Sequence, residues 1–187
     1  PAALEGLFMI LLASTDLIMV GALGALSIAA VSIFMQPRLI LLCFSRSLAS
    51  SVTLLVSQKA GAGDTNGTSD IMKKSLTLCA IFMGLLHILF YIFLDDIFYL
   101  MGANDEYMAE AMAYGPIALA AVYVTSLTLI LQAVQLGYGR TSVIMKTNVC
   151  GNVVNLALNA LLIFGFGPIP SLGVTGAAIG TLVSTIF

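Results

Sequence analysis

The sequence predicts an all-α protein, a polytopic bundle of six transmembrane helices in which the sixth is truncated. Three observations lead to this fold class. Hydrophobic residues make up 60% of the 187 residues and charged residues only 9%, whereas soluble domains carry about 25% charged residues. The apolar residues gather into runs near the ~20-residue length that crosses a bilayer. Basic residues flank only alternate connections between these runs, as successive membrane crossings require.

The six predicted helices follow one another along the chain and are separated by turn-forming residues. We place them at 1–20, 27–56, 71–94, 112–135, 142–164 and from 173 to 187, with Ser69 or Asp70 capping the third. Glycine, Asn and Asp fill the connections at 21–24 and 61–67, and glycine with proline ends the fifth helix at 165–170. The last run is too short to span alone, and we therefore expect residues 1–187 to be one bundle within a longer protein.

Charged residues predict the orientation. The basic residues beside connections are Lys59, Lys73, Lys74, Arg140 and Lys146, whereas the connection between the third and fourth helices is acidic. Loops rich in Lys and Arg stay in the cytoplasm. We therefore expect a multi-pass protein of the cell inner (plasma) membrane with a cytoplasmic N-terminus.

Several function classes find no support in the sequence. Cys43, Cys79 and Cys150 lie in three different apolar segments and form no CxxC pair, which favours packing roles over a metal site or a disulfide. No basic block suggests nucleic acid, and no nucleophile–base set or phosphate loop suggests an enzyme. We expect no metal and no bound cofactor.

Two carboxylates lie in the first predicted helix. Asp16 follows Ser14 and Thr15, and Glu5 precedes it by about three turns, so both fall on nearly one face. An acidic residue at membrane depth costs ~2.5–3.5 kcal/mol and usually serves a function. Asp16 is therefore a candidate ion-coupling residue and Glu5 a candidate for the substrate cavity. The alternative is that Asp16 lies in the headgroup zone near the end of the helix.

The fifth predicted helix carries a stripe of amides. Asn148, Asn152, Asn155 and Asn159 recur at spacings that place all four on one helix face. Amides need partners in lipid, so the stripe predicts a cavity wall, with hydrogen bonding between helices as the alternative. Two glutamines of the fourth helix, Gln132 and Gln135, are further candidates for the same cavity.

The second predicted helix carries two arginines. Arg38 and Arg46 lie within an apolar run, where a buried guanidinium needs a carboxylate or carbonyl partner. We predict that at least one of them pairs with Asp16 or Glu5, and we include Arg46 among the substrate-cavity candidates. His87 in the third helix is expected to be a hydrogen-bonded packing residue rather than a proton relay.

The order of these segments resembles the MATE (multidrug and toxic compound extrusion) family. The resemblance rests on residues 1–5, on Asp-Leu-Ile-Met-Val-Gly-Ala-Leu-Gly at 16–24 and on Ser-Gln-Lys-Ala-Gly-Ala-Gly-Asp at 57–64. It continues in Asn-Val-Val-Asn-Leu-Ala-Leu-Asn at 152–159, Ile-Phe-Gly-Phe-Gly at 163–167 and Gly-Val-Thr-Gly-Ala-Ala at 173–178. Each string is weak alone, whereas the series in this order and spacing is fairly specific.

This resemblance implies the N-terminal six-helix bundle of a larger transporter, from the DinF-like prokaryotic branch. The missing C-terminal six-helix half would come from the same chain or from a dimer, with a substrate cavity between the halves. The implied function is export of amphipathic, often cationic organic molecules in exchange for H⁺ or Na⁺. The implied coupling residues are Asp16, Asn155 and Asn159, although the family usually has an acid where this sequence has Asn159. A lipid-linked oligosaccharide flippase of the same superfamily is the nearest alternative, followed by a channel or structural membrane subunit.

Overall fold

The computed structural model describes residues 18–165 and 170–186, and this part of the chain is helical and contains no strand. Seven helices follow one another: α1 (Ala25–Ile33), α2 (Met35–Gly61), α3 (Thr65–Ile92), α4 (Leu94–Leu100), α5 (Asp105–Gly137), α6 (Thr141–Phe164) and α7 (Gly173–Ile186). The predicted all-α fold class is confirmed. The first predicted helix lies outside the described residues, apart from a helical stretch at 18–21.

Four stretches of the described chain are long and apolar enough to cross a membrane. They are Ala25–Gly61, Thr65–Ile92, Asp105–Gly137 and Thr141–Phe164, and the shorter α7 is also apolar. The first of them combines α1 and α2, which meet at Phe34. Pro37 sits in the first turn of α2, where its missing N–H needs no helical partner. The four stretches correspond to the second to fifth predicted helices, and α7 corresponds to the sixth.

Two helices begin earlier than the sequence predicts. The cap of α3 is Asp64, not Ser69 or Asp70, because the Asp64 carboxylate accepts the backbone N–H of Gly67 at 2.8 Å. Asn104 caps α5 in the same way through the N–H of Glu106. A side-chain oxygen at this position satisfies one of the unpaired N–H groups of the first turn. Each helix therefore extends beyond its apolar run into the polar connection.

The helix α5 lies at the centre of the bundle. It packs closely against α1, α2, α3 and α7, and more lightly against α6. The core between α2, α3 and α5 is built from fully buried side chains, including Leu41, Val52, Met83 and Ile130. The short α4, which the sequence analysis did not predict, buries Leu94 and Phe98 on the same core.

Small residues allow α7 to lie close to α6. A Cβ added at Gly176 would lie 2.6 Å from the carbonyl carbon of Leu162, and one at Gly180 would collide with the side-chain amide of Asn159. Glycines spaced four residues apart let helix backbones approach in membrane proteins. The Gly176–Gly180 pair therefore sets the distance between α6 and α7.

Candidate functional site

A cluster of polar side chains lies between α6 and α7. Asn159 is only 2% exposed and Asn155 is 9% exposed. The Asn155 amide donates to Ser184 Oγ at 3.2 Å and to Thr181 Oγ1 at 3.4 Å, while the Asn159 amide donates to Asn155 Oδ1 at 3.2 Å. We call Asn155, Asn159, Thr181 and Ser184 the amide cluster. It is a polar patch inside an apolar bundle, made by two adjacent helices.

The N-terminal end of the asparagine stripe, at Asn148, faces α5. Asn148 and Asn152 are half-buried, and the Gln132 amide on α5 donates to Asn148 Oδ1 at 2.8 Å. The four asparagines therefore share one face of α6, as the periodicity predicts, but that face meets α7 at one end and α5 at the other. These contacts are hydrogen bonds between helices or within α6. The role of the stripe as a cavity wall stays a prediction.

Two adjoining grooves run along α2 and share Arg46 and Ser50. The first, of about 560 Å³, is lined by Leu39, Leu42, Cys43, Arg46, Ser47, Ser50 and Ser51. The second, of about 550 Å³, is lined by Arg46, Ala49, Ser50, Thr53, Leu54, Ser57, Leu129, Gln132, Ala133, Leu136 and Ile144. Binding cavities for small molecules are typically about 300–1,000 Å³. Arg46 and Gln132 thus meet in one groove, whereas the half-buried Gln135 does not line either of these two.

The two arginines of α2 lie outside the buried core of the described residues, and their predicted pairing stays a prediction. Arg38 and Arg46 are both exposed, because the buried face of α2 runs through Leu41, Ser45 and Val52 and both arginines point away from it. Neither forms an ion pair with a described carboxylate; the ion pairs found there are Lys59–Asp64 and Lys74–Asp70. The predicted partners Asp16 and Glu5 lie outside the described residues.

The sequence analysis missed several polar contacts that join helices. Ser45 Oγ donates to Ser126 Oγ at 2.8 Å between α2 and α5, and both side chains are fully buried. Ser27 Oγ on α1 donates to Glu110 Oε2 on α5 at 2.7 Å. Single serines inside an apolar helix are common and give no periodic signal, so only the tertiary fold shows their pairing.

The lone histidine fits the packing role that the sequence predicts. His87 is buried on α3, its Nδ1 lies 2.7 Å from the carbonyl oxygen of Met83, and its ring meets that of Tyr123 edge-on at 5.5 Å. Among the described residues, no group of three or more His, Cys, Asp or Glu side chains comes together to hold a metal ion.

Known proteins match this chain along most of its length. The MatE family model matches residues 1–161. The probable multidrug resistance protein NorM of Rhizobium meliloti (strain 1021) is 30% identical over 169 residues, covering 90% of this chain and 36% of that protein. The FAD transporter of Shewanella oneidensis is 29% identical over 175 residues, covering 90% of this chain and 37% of that protein.

A solved structure gives the same answer for the fold. It shows the outward-facing conformation of a multidrug resistance MATE family transporter of the MOP superfamily, with a TM-score of 0.87 and 26% identity. The match covers 97% of this chain and 40% of that chain, so this chain spans well under half of its relatives' length. With a family match over residues 1–161, the chain belongs to the MatE family, whose members are membrane transporters and not enzymes.

Proposed function

We propose that this chain forms the first six-helix bundle of a secondary antiporter, which exports amphipathic organic molecules in exchange for H⁺ or Na⁺. A second six-helix half, in the same chain or in a dimer, would close the substrate cavity against it. The observation that carries the proposal is the amide cluster between α6 and α7, in which two buried asparagines and two hydroxyl side chains lie together. The multidrug resistance relatives support export as the direction of transport.

The amide cluster has the chemistry of a coupling site. Amide and hydroxyl oxygens are ligands for a hard cation such as Na⁺, and an amide oxygen also accepts a hydrogen bond from a protonated carboxyl group. Asn155 and Asn159 carry no charge, so the titrating or charge-balancing group has to come from elsewhere. We assign that role to Asp16, the acid that the family resemblance aligns with this function.

Coupling requires that the ion bind two conformations with different affinity. The Asn155 amide reaches two hydroxyls of α7, Thr181 and Ser184, at 3.2–3.4 Å. An ion that binds the Asn155 amide oxygen and turns its N–H away from these hydroxyls removes hydrogen bonds between α6 and α7. Ion occupancy is thereby linked to helix packing, which is the link that antiport needs.

The substrate would meet the exposed polar face of α2. Its grooves combine the Arg46 guanidinium and serine hydroxyls with apolar side chains such as Leu54 and Leu129. This mixture suits an amphipathic molecule. We propose the inner membrane as the location, with the N-terminus in the cytoplasm, on the strength of the basic connections after α2 and α5.

The test of this function is export by the full-length protein in proteoliposomes under an imposed H⁺ or Na⁺ gradient. Asp16→Asn is expected to abolish gradient-driven export of a fluorescent amphipathic dye while the protein still inserts, because removing a charge lowers the insertion cost. Asp96→Asn, the same change at an exposed position of α4, is the matched control and should export normally. Export at the wild-type rate by Asp16→Asn would show that Asp16 is not the coupling acid. Export that ignores both gradients would exclude antiport.

One observation favours a second candidate function. The groove around Arg46 is cationic, and a lipid-linked oligosaccharide flippase of the same superfamily needs cationic groups to hold its pyrophosphate. Such a protein would move the lipid across vesicles without exporting the dye, so the same proteoliposomes separate the two functions.

A further inference from the structure

We propose that Arg46 holds an anionic group, a phosphate or carboxylate, of an amphipathic molecule in the grooves along α2. This inference rests on the proposed function and names the substrate class that the described half of the cavity selects. It concerns the face formed by α2, α5 and α6, which is distinct from the amide cluster between α6 and α7.

The position of Arg46 calls for an anionic partner. It lies near the middle of the 37-residue apolar stretch Ala25–Gly61, where a guanidinium facing lipid is costly and usually marks a functional pathway. It is exposed and forms no ion pair with any carboxylate of the described residues. Among the described residues, no acidic side chain lines either groove. Within the described part of the chain, the charge of Arg46 is therefore left for a ligand.

The groove supplies further donors beside the guanidinium. Gln132 uses one amide N–H for Asn148, which leaves its second N–H for a ligand. The Ser50 hydroxyl lines both grooves next to Arg46. Thr53 is already committed, because its hydroxyl bonds to the carbonyl oxygens of Ala49 and Ala133. Arg46, Ser50 and Gln132 form a donor set with no competing carboxylate among the described lining residues. Guanidinium–phosphate pairs are among the stronger hydrogen-bonded contacts in proteins.

The later part of α3 differs from this polar face of α2. Between Leu78 and Ile92, most exposed side chains of α3 are apolar, and they include Leu78, Ile81, Phe82, Leu85, Ile88, Leu89 and Ile92. That face suits lipid. The exposed residues of α2 instead include Arg46, Ser47, Ser50 and Ser51, beside apolar residues such as Leu39 and Phe44. Apolar walls from Leu54, Leu129, Leu136 and Ile144 leave room beside the donors for the apolar part of the ligand.

Flavin mononucleotide and riboflavin form a matched pair of probes, because they differ only by one phosphate. Binding to the full-length protein in phosphatidylcholine nanodiscs is read from flavin fluorescence. We expect the wild type to bind flavin mononucleotide about tenfold more tightly than riboflavin, as a charged hydrogen-bonded contact predicts. Arg46→Gln should remove this preference by weakening flavin mononucleotide binding more than riboflavin binding, and the riboflavin binding that remains shows that the variant is folded. Arg46→Lys should retain part of the preference.

Arg38 provides the matched control on the same helix. It is also exposed and unpaired among the described residues, but it lines neither groove. Arg38→Gln should therefore keep the tenfold preference for the phosphate. If the wild type shows no such preference, whether it binds both flavins equally or neither, the proposal is overturned. The same holds if Arg38→Gln and Arg46→Gln lose the preference to the same extent.

A second arm distinguishes a soluble anion from a lipid headgroup. Replacing part of the phosphatidylcholine by phosphatidylglycerol should weaken flavin mononucleotide binding to the wild type if an anionic lipid also occupies the Arg46 groove. Unchanged binding assigns the groove to soluble anionic molecules. The proposed antiport is tested independently of this proposal. Dye export can depend on Asp16 while the protein shows no preference for the phosphate, and the phosphate preference can be present while export does not depend on Asp16.

Discussion

Gly176→Ala should separate α6 from α7 and destabilise the bundle. The new Cβ would lie 2.6 Å from the carbonyl carbon of Leu162 and 3.0 Å from the backbone nitrogen of Ile163. These are backbone atoms inside a helix, so no side chain can rotate away. Reaching an ordinary contact near 3.4 Å requires α7 to move by roughly 0.8 Å, since protein interiors leave no spare volume.

The energetic effect follows from three contributions. Overpacking of this kind costs about 1–3 kcal/mol. The bonds from Asn155 to Thr181 and Ser184 are now 3.4 and 3.2 Å long, and a shift of that size breaks both. Each such bond contributes about 0.6 kcal/mol in a membrane protein. Alanine gains back about 0.8–1 kcal/mol of helix propensity over glycine. The net destabilisation is about 1–3 kcal/mol.

The measurement is equilibrium unfolding of the full-length protein in mixed micelles, followed by loss of helical circular dichroism as denaturing detergent is added. Gly84→Ala is the matched control, because a Cβ there would lie 3.8 Å from Tyr123, an ordinary contact. It gains helix propensity without overpacking and should be neutral or slightly stabilising. Equal unfolding midpoints for Gly176→Ala and Gly84→Ala would refute the close-packing argument for α7.

Two further predictions concern other polar contacts. Ser45→Ala and Ser126→Ala should each cost roughly 0.6 kcal/mol, with a coupling of similar size in a double-mutant cycle, because their buried hydrogen bond is one of the membrane interhelical type; additive effects would show that the bond contributes nothing. The Gly67 N–H and the Lys59 ammonium hold the pKa of the Asp64 carboxyl below its ordinary 3.8. This contribution to stability is present above pH 3.8 and is lost as the pH falls through the folded-state pKa, so acid should lower the melting temperature of the wild type more than that of Asp64→Asn.

The membrane spans were predictable because hydropathy and length are local properties of a sequence. The five predicted helices from 27 onward correspond to described helices, yet α3 and α5 begin earlier than predicted. A hydropathy pattern starts where apolar residues begin, whereas a helix starts where its first, unpaired N–H groups find a cap. Asp64 and Asn104 supply those caps inside polar connections. The short α4 was missed because Phe98 is held by its fit against Gly115 of α5, a tertiary contact.

The candidate site was predictable on one helix only. Spacing alone places Asn155 and Asn159 on one face of α6, and both are buried. Their partners Thr181 and Ser184 lie on α7, and nothing in their own spacing distinguishes them from packing residues. They reach Asn155 because Gly180 leaves space for the Asn159 amide. The contacts of Asn155 with Thr181 and Ser184 depend on how α6 packs against α7, and the sequence pattern of each helix alone does not predict this packing.

The same glycine contact that stabilises α7 also determines how the amide cluster can transmit a change. Ser184 lies roughly two turns beyond Gly176, about 12 Å along the axis at ~1.5 Å per residue. With α7 held against the backbone of α6 at Gly176, a tilt of roughly 5° moves Ser184 by about 1 Å, enough to break its bond to Asn155. An ion that binds Asn155 Oδ1 and turns the amide N–H away from Ser184 would therefore tilt α7 about a fixed contact instead of detaching it. Gly176→Ala removes this fixed contact and should therefore impair ion-driven export as well as stability. If the variant is less stable but its export still depends fully on the ion gradient, α7 does not act as the moving element.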